Sequence, residues 1–201
     1  YNALYQQRLT SKSESIENSY NPKLSSNNEK HVVIIVLDGL RKKNLSLYGN
    51  KRETTPNIDS LSKSSTVFEN CFSPSPWSYP SCASLMTGLY PSNNGVFFRD
   101  EVKNLVQGIL PPKIKETFFT IPEILSYLGF KTSLFSSNII AASLLEGHFE
   151  ENKIYTSGGN AGKVVKSFKK WIWNNRKSNT FTYLHLNDLH EPLTVDKNYV
   201  G

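Results

Sequence analysis

The chain has 201 residues, of which 38% are hydrophobic, 12% aromatic and 20% charged. This composition excludes a disordered or collagen-like chain, and the longest apolar run, Val32 to Leu37, is far shorter than the roughly 20 residues of a membrane-spanning helix. Lys and Arg outnumber Asp and Glu by 23 to 17, but no basic run interleaves with aromatic residues, so the sequence predicts neither a nucleic-acid partner nor a transmembrane helix.

The first predicted strand follows a polar lead-in. Residues 1–30 are rich in Ser, Asn, Lys and Glu without a sustained apolar period, which predicts a tether or a poorly ordered segment. The apolar, mostly β-branched run His31–Leu37 predicts a strand buried on both faces, and it ends at Asp38 and Gly39. A carboxylate at the end of a buried strand belongs either to a loop or to a cation site, because an unpaired buried charge is costly. Asp38 is therefore a candidate metal ligand.

A second strand and a serine before a helix come next. Residues 66–72 alternate between polar and apolar side chains, which predicts a strand, and residues 55–57 precede a short helix. Pro80 predicts the first turn of a helix that ends before Gly88. Ser78 lies two residues before this proline, where it is either the N-cap or a hydroxyl beside an anion at the helix N-terminus.

The second half of the chain alternates strands and helices. Thr120 and Glu123 form a capping box at the start of a helix, and residues 130–135 predict a strand. Residues 164–172 predict an amphipathic helix that packs on a sheet, with a solvated lysine face, and residues 180–186 predict the last strand. This order predicts an α/β fold with a mostly parallel sheet, in which ligands bind beyond the carboxyl ends of the strands.

Three separated blocks of the sequence resemble the sulfatase family of the alkaline-phosphatase-like superfamily. They span residues 31–95, 118–140 and 160–193. The most specific block, Ser78 to Gly88, resembles the sulfatase signature, in which Cys or Ser is followed two positions later by Pro, then by Ser and Arg, and finally by Thr-Gly. The resemblance implies a parallel α/β sheet flanked by helices in a three-layer sandwich.

The resemblance also implies a sulfate-ester hydrolase and its site residues. Asp38 and Ser78 would be ligands of a divalent cation, usually calcium in sulfatases. Ser78 would be the nucleophile, which sulfatases convert to formylglycine. His190 would contact the sulfate group or the leaving oxygen as a catalytic and substrate-binding residue, with Asp188 as a second substrate contact. A Ser-His-Asp triad of Ser78, Asp188 and His190 is also compatible with the residue types.

Several positions depart from the family pattern. Gly39 stands where many sulfatases have a second metal-binding Asp, and Cys82 replaces the signature Arg. Many sulfatases have Lys and His where this chain has residues 136–139, so no compensating ligand is expected there. Cys71 and Cys82 are predicted to be small core residues.

These departures keep two other hypotheses open. One is a phosphoester hydrolase or phospho-group transferase that uses unmodified Ser78 with Mg²⁺, Mn²⁺ or Zn²⁺ and a phosphate-ester substrate. The other is a non-catalytic fragment or pseudoenzyme. Residues 31–201 are expected to be the N-terminal part of the catalytic domain and to be inactive alone, because the later Asp-Asn or Asp-His pair of sulfatases is absent. The resemblance favours an extracytoplasmic or membrane-associated location.

Overall fold

The fold is a four-stranded parallel sheet flanked by helices. The computed structural model describes residues 2–19, 29–97, 112–156 and 160–190. All strand pairs are parallel, in the spatial order β1, β4, β2, β3. The strands are β1 (His31–Leu37), β2 (Lys131–Ser136), β3 (Glu151–Ile154) and β4 (Thr180–Leu186). The predicted mostly parallel α/β architecture is confirmed. The prediction that β1 is buried on both faces is wrong, because β1 lies at the edge of the described sheet and Ile35 is 57% exposed.

The helices lie mainly in the connections between strands. Those within the described residues are α1 (Asn2–Ser19), α2 (Pro56–Ser62), α3 (Ser78–Thr87), α4 (Pro91–Asn94), α5 (Ile121–Tyr127), α6 (Ile139–Leu145) and α7 (Ala161–Asn174). Two short 3-10 turns, Lys42–Asn44 and Ser46–Tyr48, follow β1. Gly88 ends α3 in the left-handed conformation, with φ of 69°, as the sequence predicted.

Apolar side chains cover the two faces of the sheet in separate clusters. On one face, Phe181 and Tyr183 of β4 pack with residues of α3 and α6. On the other face, Leu184 packs with Val164 and Phe168 of α7, so the predicted amphipathic helix does lie on the sheet. The lysines of α7 are exposed, as expected of its solvated face. Because β4 is central and covered on both sides, the end of this strand is rigidly placed.

The predicted strand at residues 66–72 is wrong. In the structure this segment is irregular, and Phe68 and Phe72 are exposed. Side chains from the segment after β1 bond to its backbone: the Tyr48 hydroxyl donates to the Phe68 carbonyl oxygen at 3.1 Å, and Lys42 Nζ donates to the Glu69 carbonyl oxygen at 2.5 Å. An alternating pattern forms a strand only where a neighbouring strand completes its hydrogen bonds, and these carbonyl groups have side-chain partners instead.

Two elements were not anticipated between β2 and α7. Strand β3 has four residues, too few for an alternating pattern to be distinguished from a loop. Helix α6 is almost entirely apolar on the side that packs, and its N-cap is Asn138, whose side chain accepts a hydrogen bond from the backbone N–H of Ala141. Such an uninterrupted apolar run has no clear period.

Helix α1 differs from the poorly ordered lead-in that the composition predicted. Its side chains bond to α5 and the residues before it: the Tyr5 hydroxyl donates to Ser126, and Lys12 Nζ donates to the Phe118 carbonyl oxygen at 2.6 Å. The helix has little apolar periodicity, so its sequence gave no sign of this packing. Tertiary contacts rather than propensity therefore support the helix.

Glu123 is the centre of this docking contact. Its buried carboxylate accepts hydrogen bonds from Arg8 Nε at 3.1 Å, Lys12 Nζ at 2.9 Å and the backbone N–H of Thr120 at 2.9 Å, and it lies 3.2 Å from Nδ1 of His148. The capping box predicted from the sequence is thus confirmed, but its glutamate also bears the ion pairs that hold α1.

We expect Glu123→Gln to lower the free energy of unfolding at neutral pH by about 3 kcal/mol, because it leaves buried cations without their partner. Burial by itself would raise the pKa of Glu123, but His148 and Lys12 hold this pKa well below its usual range. A depressed folded-state pKa stabilises the protein above the unfolded-state pKa of about 4.3, and this stabilisation is lost as the pH falls further.

Urea unfolding followed by circular dichroism at stepwise pH checks this prediction. The wild-type chain should lose stability between about pH 5 and about pH 3 more steeply than Glu123→Gln does. Glu151→Gln, at an exposed position of β3, is the matched control and should retain the wild-type slope. Identical slopes for wild type and Glu123→Gln would contradict the role of this carboxylate.

Candidate active site

The carboxyl ends of three neighbouring strands meet at one edge of the sheet. Leu37 of β1 pairs with Leu186 of β4, and Ser136 of β2 pairs with His185 of β4. The residues that follow these strands are therefore brought side by side. The backbone N–H of Asp38 donates to the Leu186 carbonyl oxygen at 2.9 Å, which continues the ladder past the end of β1. This edge is where ligands bind in open parallel α/β sheets.

Three side chains from other parts of the chain contact the Asp38 carboxylate at this edge. Its Oδ2 accepts hydrogen bonds from the Ser78 hydroxyl at 2.9 Å and from Asn138 Nδ2 at 2.6 Å, and lies 3.0 Å from His185 Nε2. Burial by itself would raise the pKa of Asp38, but the hydrogen bonds from His185, Ser78 and Asn138 outweigh burial and hold this pKa at about 2. The carboxylate is therefore ionised at neutral pH and is too weak a base to remove the serine proton unaided.

Ser78 reaches Asp38 because the first turn of α3 points at the end of β1. Ile34 and Val36 pack on the face of the sheet that α3 covers, and the alternation of β1 places Asp38 on that same face. The N-cap of α3 is Trp77, so Ser78 is the first helical residue and its hydroxyl bonds to Asp38. The alternative that Ser78 serves as the N-cap is wrong.

Buried polar side chains form a series of hydrogen-bonding contacts that ends at Asp38. Tyr183 Oη lies 3.0 Å from Nδ1 of His185, and Cys82 Sγ lies 3.2 Å from Tyr183 Oη. Burial raises the pKa of Tyr183 and raises the pKa of Cys82 to about 11, so both groups keep their protons. In the neutral His185 imidazole, Nε2–H donates to Asp38 and Nδ1 accepts from the tyrosine hydroxyl. The chain therefore fixes the orientation of the carboxylate.

Asn138 enters the site as a hydrogen-bond donor that sequence reasoning missed. Its Oδ1 accepts from the Ala141 N–H at 2.8 Å, and this N-cap contact turns Nδ2 towards Asp38 and towards Asn187 Oδ1, 3.1 Å away. The sequence led us to expect no compensating ligand at residues 136–139, and Asn138 contributes a hydrogen-bond donor to Asp38 instead of a ligand. One signal in the sequence could have identified Asn138: it is a residue type that favours the N-cap and it follows a buried strand, at the edge where ligands bind.

The two remaining predicted site residues lie in the turn after β4. Both carboxylate oxygens of Asp188 accept from the backbone N–H of Ala161, at 3.0 and 2.9 Å, so this side chain holds the first turn of α7. His190 is exposed, and its backbone N–H donates to the Asn187 carbonyl oxygen at 3.1 Å. The structure therefore gives Asp188 a backbone partner at the start of α7, and His190 is exposed in the turn after β4.

The two cysteines have different surroundings. Cys82 is buried, as predicted, whereas Cys71 is exposed and the prediction that it is a core residue is wrong. Cys71 belongs to the irregular segment that was predicted to be a strand, and without the strand it has no sheet face to pack against.

Donors suitable for a divalent cation meet at this site. The ionised Asp38 carboxylate, the Ser78 hydroxyl and Asn187 Oδ1 are oxygen donors, whereas His185 Nε2 carries the proton that it donates to Asp38 and acts through that carboxylate. This set fits a divalent cation in kind. These residues supply only part of the coordination sphere of such an ion, because Ca²⁺ binds about 6 to 8 oxygen atoms. Within residues 2–19, 29–97, 112–156 and 160–190, no cluster of three or more His, Cys, Asp or Glu side chains could hold a metal ion.

Comparison with known proteins identifies the family to which this chain is similar. The family model for sulfatases matches residues 30–201. The N-acetylglucosamine-6-O-sulfatase of Bacteroides thetaiotaomicron is 24% identical over 149 residues, which are 70% of this chain and 25% of the relative.

Solved structures of low sequence identity share the fold. The phosphonate monoester hydrolase of Agrobacterium radiobacter superimposes with a TM-score of 0.66 at 15% identity, over 86% of this chain and 43% of the other. The C-terminal periplasmic domain of EcEptC from Escherichia coli, in complex with Zn, gives a TM-score of 0.65 at 18% identity, over 88% and 49%. The chain thus spans less than half of each of these structures. None of the described helices is both long and apolar enough to cross a membrane.

Proposed function

Because this chain belongs to the sulfatase family, and its serine and aspartate meet at the ligand-binding edge of the sheet, we propose that the protein carrying it hydrolyses sulfate esters. The observation that carries this proposal is the 2.9 Å hydrogen bond between Ser78 Oγ and Asp38 Oδ2, at the start of α3 and the end of β1. It brings the signature-position hydroxyl to the ionised residue that the family pattern assigns to the cation.

The oxygen on residue 78 is the proposed nucleophile. The hydroxyl gives up its proton to solvent and its oxygen forms a bond to sulfur, while the ester S–O bond breaks and the leaving oxygen takes up a proton. If residue 78 is formylglycine, the second hydroxyl of its hydrate then loses its proton, the C–O bond to the sulfate breaks, and sulfate leaves with the aldehyde restored. Since Asp38 is too weak a base to accept the serine proton, the nucleophile needs activation from another source. Conversion of Ser78 to formylglycine, a two-electron oxidation that a separate maturation enzyme with its own electron acceptor would carry out, would supply a hydrate with a more acidic attacking hydroxyl.

A divalent cation is part of this proposal. Asp38 and Ser78 would hold it, with Asn187 and His185 adjacent, and calcium is the expected ion of a sulfatase. When bound, such a cation neutralises charge on the ester oxygens. The Cys82, Tyr183 and His185 side chains keep the Asp38 carboxylate in its orientation. His190, which is exposed in the turn after β4, would contact the sulfate group or donate a proton to the leaving oxygen.

A second candidate function is phosphoester hydrolysis or phospho-group transfer by unmodified Ser78. The observation that favours it is Cys82, which occupies the position of the signature arginine and is buried with its thiol facing Tyr183. This chain therefore lacks, at that position, the cation that a sulfatase uses beside its nucleophile. Mg²⁺, Mn²⁺ or Zn²⁺ would then be the expected ion.

Parallel assays with 4-nitrophenyl sulfate and 4-nitrophenyl phosphate distinguish the two functions. They require the protein that carries this chain, tested with Ca²⁺, Mg²⁺, Mn²⁺ and Zn²⁺ in turn. We expect kcat/KM for the sulfate to exceed that for the phosphate by roughly 100-fold, as in a pocket built for one group. A preference for the phosphate would support the second function. Absence of both activities in a metal-binding protein would indicate a non-catalytic role.

A further inference from the structure

A cavity of about 540 Å³, lined by both apolar and polar residues, lies beside the Asp38 site. Its lining includes Gly39, which directly follows Asp38, and Leu189, which directly precedes His190. Two walls of the cavity are therefore formed by the segments that carry Asp38, the proposed cation ligand, and His190, the proposed contact of the leaving group. A substrate held at Ser78 would extend its leaving group past these walls.

The opposite wall is formed by the segment after β1 and is ordered by its own hydrogen bonds. Asn50 Nδ2 donates to the Lys43 carbonyl oxygen at 3.0 Å, and Asn50 Oδ1 accepts from the backbone N–H of Arg52 at 2.9 Å. The Thr54 hydroxyl donates to the Asn44 carbonyl oxygen at 2.5 Å. Because these contacts are made between residues of the wall itself, binding to this wall requires little additional ordering.

Gly39 makes the shape of this cavity possible. Its φ is +77°, and a Cβ atom built on it would lie 2.6 Å from the carbonyl oxygen of Leu189. Any side chain at this position would be strained and would push the turn after β4 away from the segment after β1. The position that carries a second metal-binding Asp in many sulfatases is therefore part of a cavity wall in this chain.

Among the residues that the structure describes, the lining carries one charged side chain, the cation Arg52. The other described lining residues are neutral, with amide and hydroxyl groups from Asn44, Asn50, Thr54 and Thr55. Among the described residues, no hydrogen bond or ion pair engages the Arg52 guanidinium. A guanidinium group binds carboxylate and sulfate oxygens through two parallel N–H donors, which a lysine cannot do.

We propose that this cavity binds an anionic group, a carboxylate or a second sulfate, on the leaving-group part of the substrate. Arg52 pairs with the anion, and the wall residues hold the backbone that positions Arg52. This rests on the proposed function, because it assigns the cavity to the leaving group of the same ester. The substrate is accordingly a sulfate ester whose leaving group carries a second negative charge.

Three disaccharides test this proposal, all with the same sulfated sugar at one end. The second sugar is neutral in one, a uronate in another and sulfated in the third. Isothermal calorimetry on the protein carrying this chain gives their dissociation constants for wild type, Arg52→Gln and Lys51→Gln. Lys51 is the matched control, because it is the neighbouring exposed cation and does not line the cavity.

We expect Arg52→Gln to weaken binding of at least one charged disaccharide about tenfold, the size of a charge-assisted hydrogen bond, and to leave the neutral one unchanged. The affected probe identifies the anion as carboxylate, sulfate or both. Lys51→Gln should change none of the three constants appreciably. Equal weakening of neutral and charged probes, or no change at all, would overturn the proposal. Because binding is measured directly, the cavity is tested even if wild type hydrolyses none of the three esters, a result that would contradict the proposed function instead.

Discussion

Ser78→Ala should reduce hydrolysis of the preferred ester by about 10³-fold or more, because removal of a nucleophile eliminates the covalent route. The variant should fold normally, since alanine favours a helix and Ser78 is not the N-cap of α3. It loses one hydrogen bond to Asp38, which still has donors in Asn138 and His185. Steady-state kinetics with 4-nitrophenyl sulfate and 4-nitrophenyl phosphate measure the loss.

Ser81→Ala is the matched control for this variant. Ser81 lies less than one turn further along α3, and its hydroxyl bonds to Ser73 at 2.8 Å rather than to Asp38. It should retain wild-type turnover. Peptide mass spectrometry of the wild-type protein then shows which chemistry residue 78 performs: an aldehyde indicates a sulfatase, and an unmodified essential serine favours phosphoester chemistry. Full turnover by Ser78→Ala would refute the nucleophile assignment.

Asp38→Asn should weaken divalent-cation binding at least tenfold and reduce activity in parallel. The substitution removes the ionised oxygen ligand on which a hard cation depends. It also places a neutral amide against three hydrogen-bond donors, Ser78, Asn138 and His185, which all contact Oδ2 of the native carboxylate. If the amide nitrogen faces them, donors oppose donors and the site is disrupted further.

Calorimetric titration with Ca²⁺, Mg²⁺, Mn²⁺ and Zn²⁺ measures the effect of Asp38→Asn on affinity. Glu69→Gln, which removes an exposed carboxylate paired with Lys42, controls for the loss of one negative charge. This control should bind cations as wild type does. Metal affinity that is unchanged in Asp38→Asn would remove Asp38 from the cation site, whatever happens to activity.

The parts of the site that the sequence predicted are those in which a local pattern and the chemistry coincide. Asp38 ends an apolar strand, and Ser78 begins a helix that Pro80 and Gly88 delimit. Both features depend on residues close together in the chain. The parallel sheet followed from the alternation of strands and helices in the same way. The wrong strand at residues 66–72 shows the limit of this reasoning, because its short alternation has no partner strand in the fold.

What the sequence determined by itself was the fold class, the family resemblance and the residue types at the carboxyl ends of the strands. Only the tertiary structure decided which side chains meet there. Asn138 reaches Asp38 because its N-cap contact with Ala141 sets the amide orientation, and β4 lies between β1 and β2, which brings His185 below the carboxylate. Helix α1 likewise depends on Glu123, more than a hundred residues away. Contacts between residues so distant in the chain leave no periodic signal in either segment, so strand order and packing had to be seen before the site could be assembled.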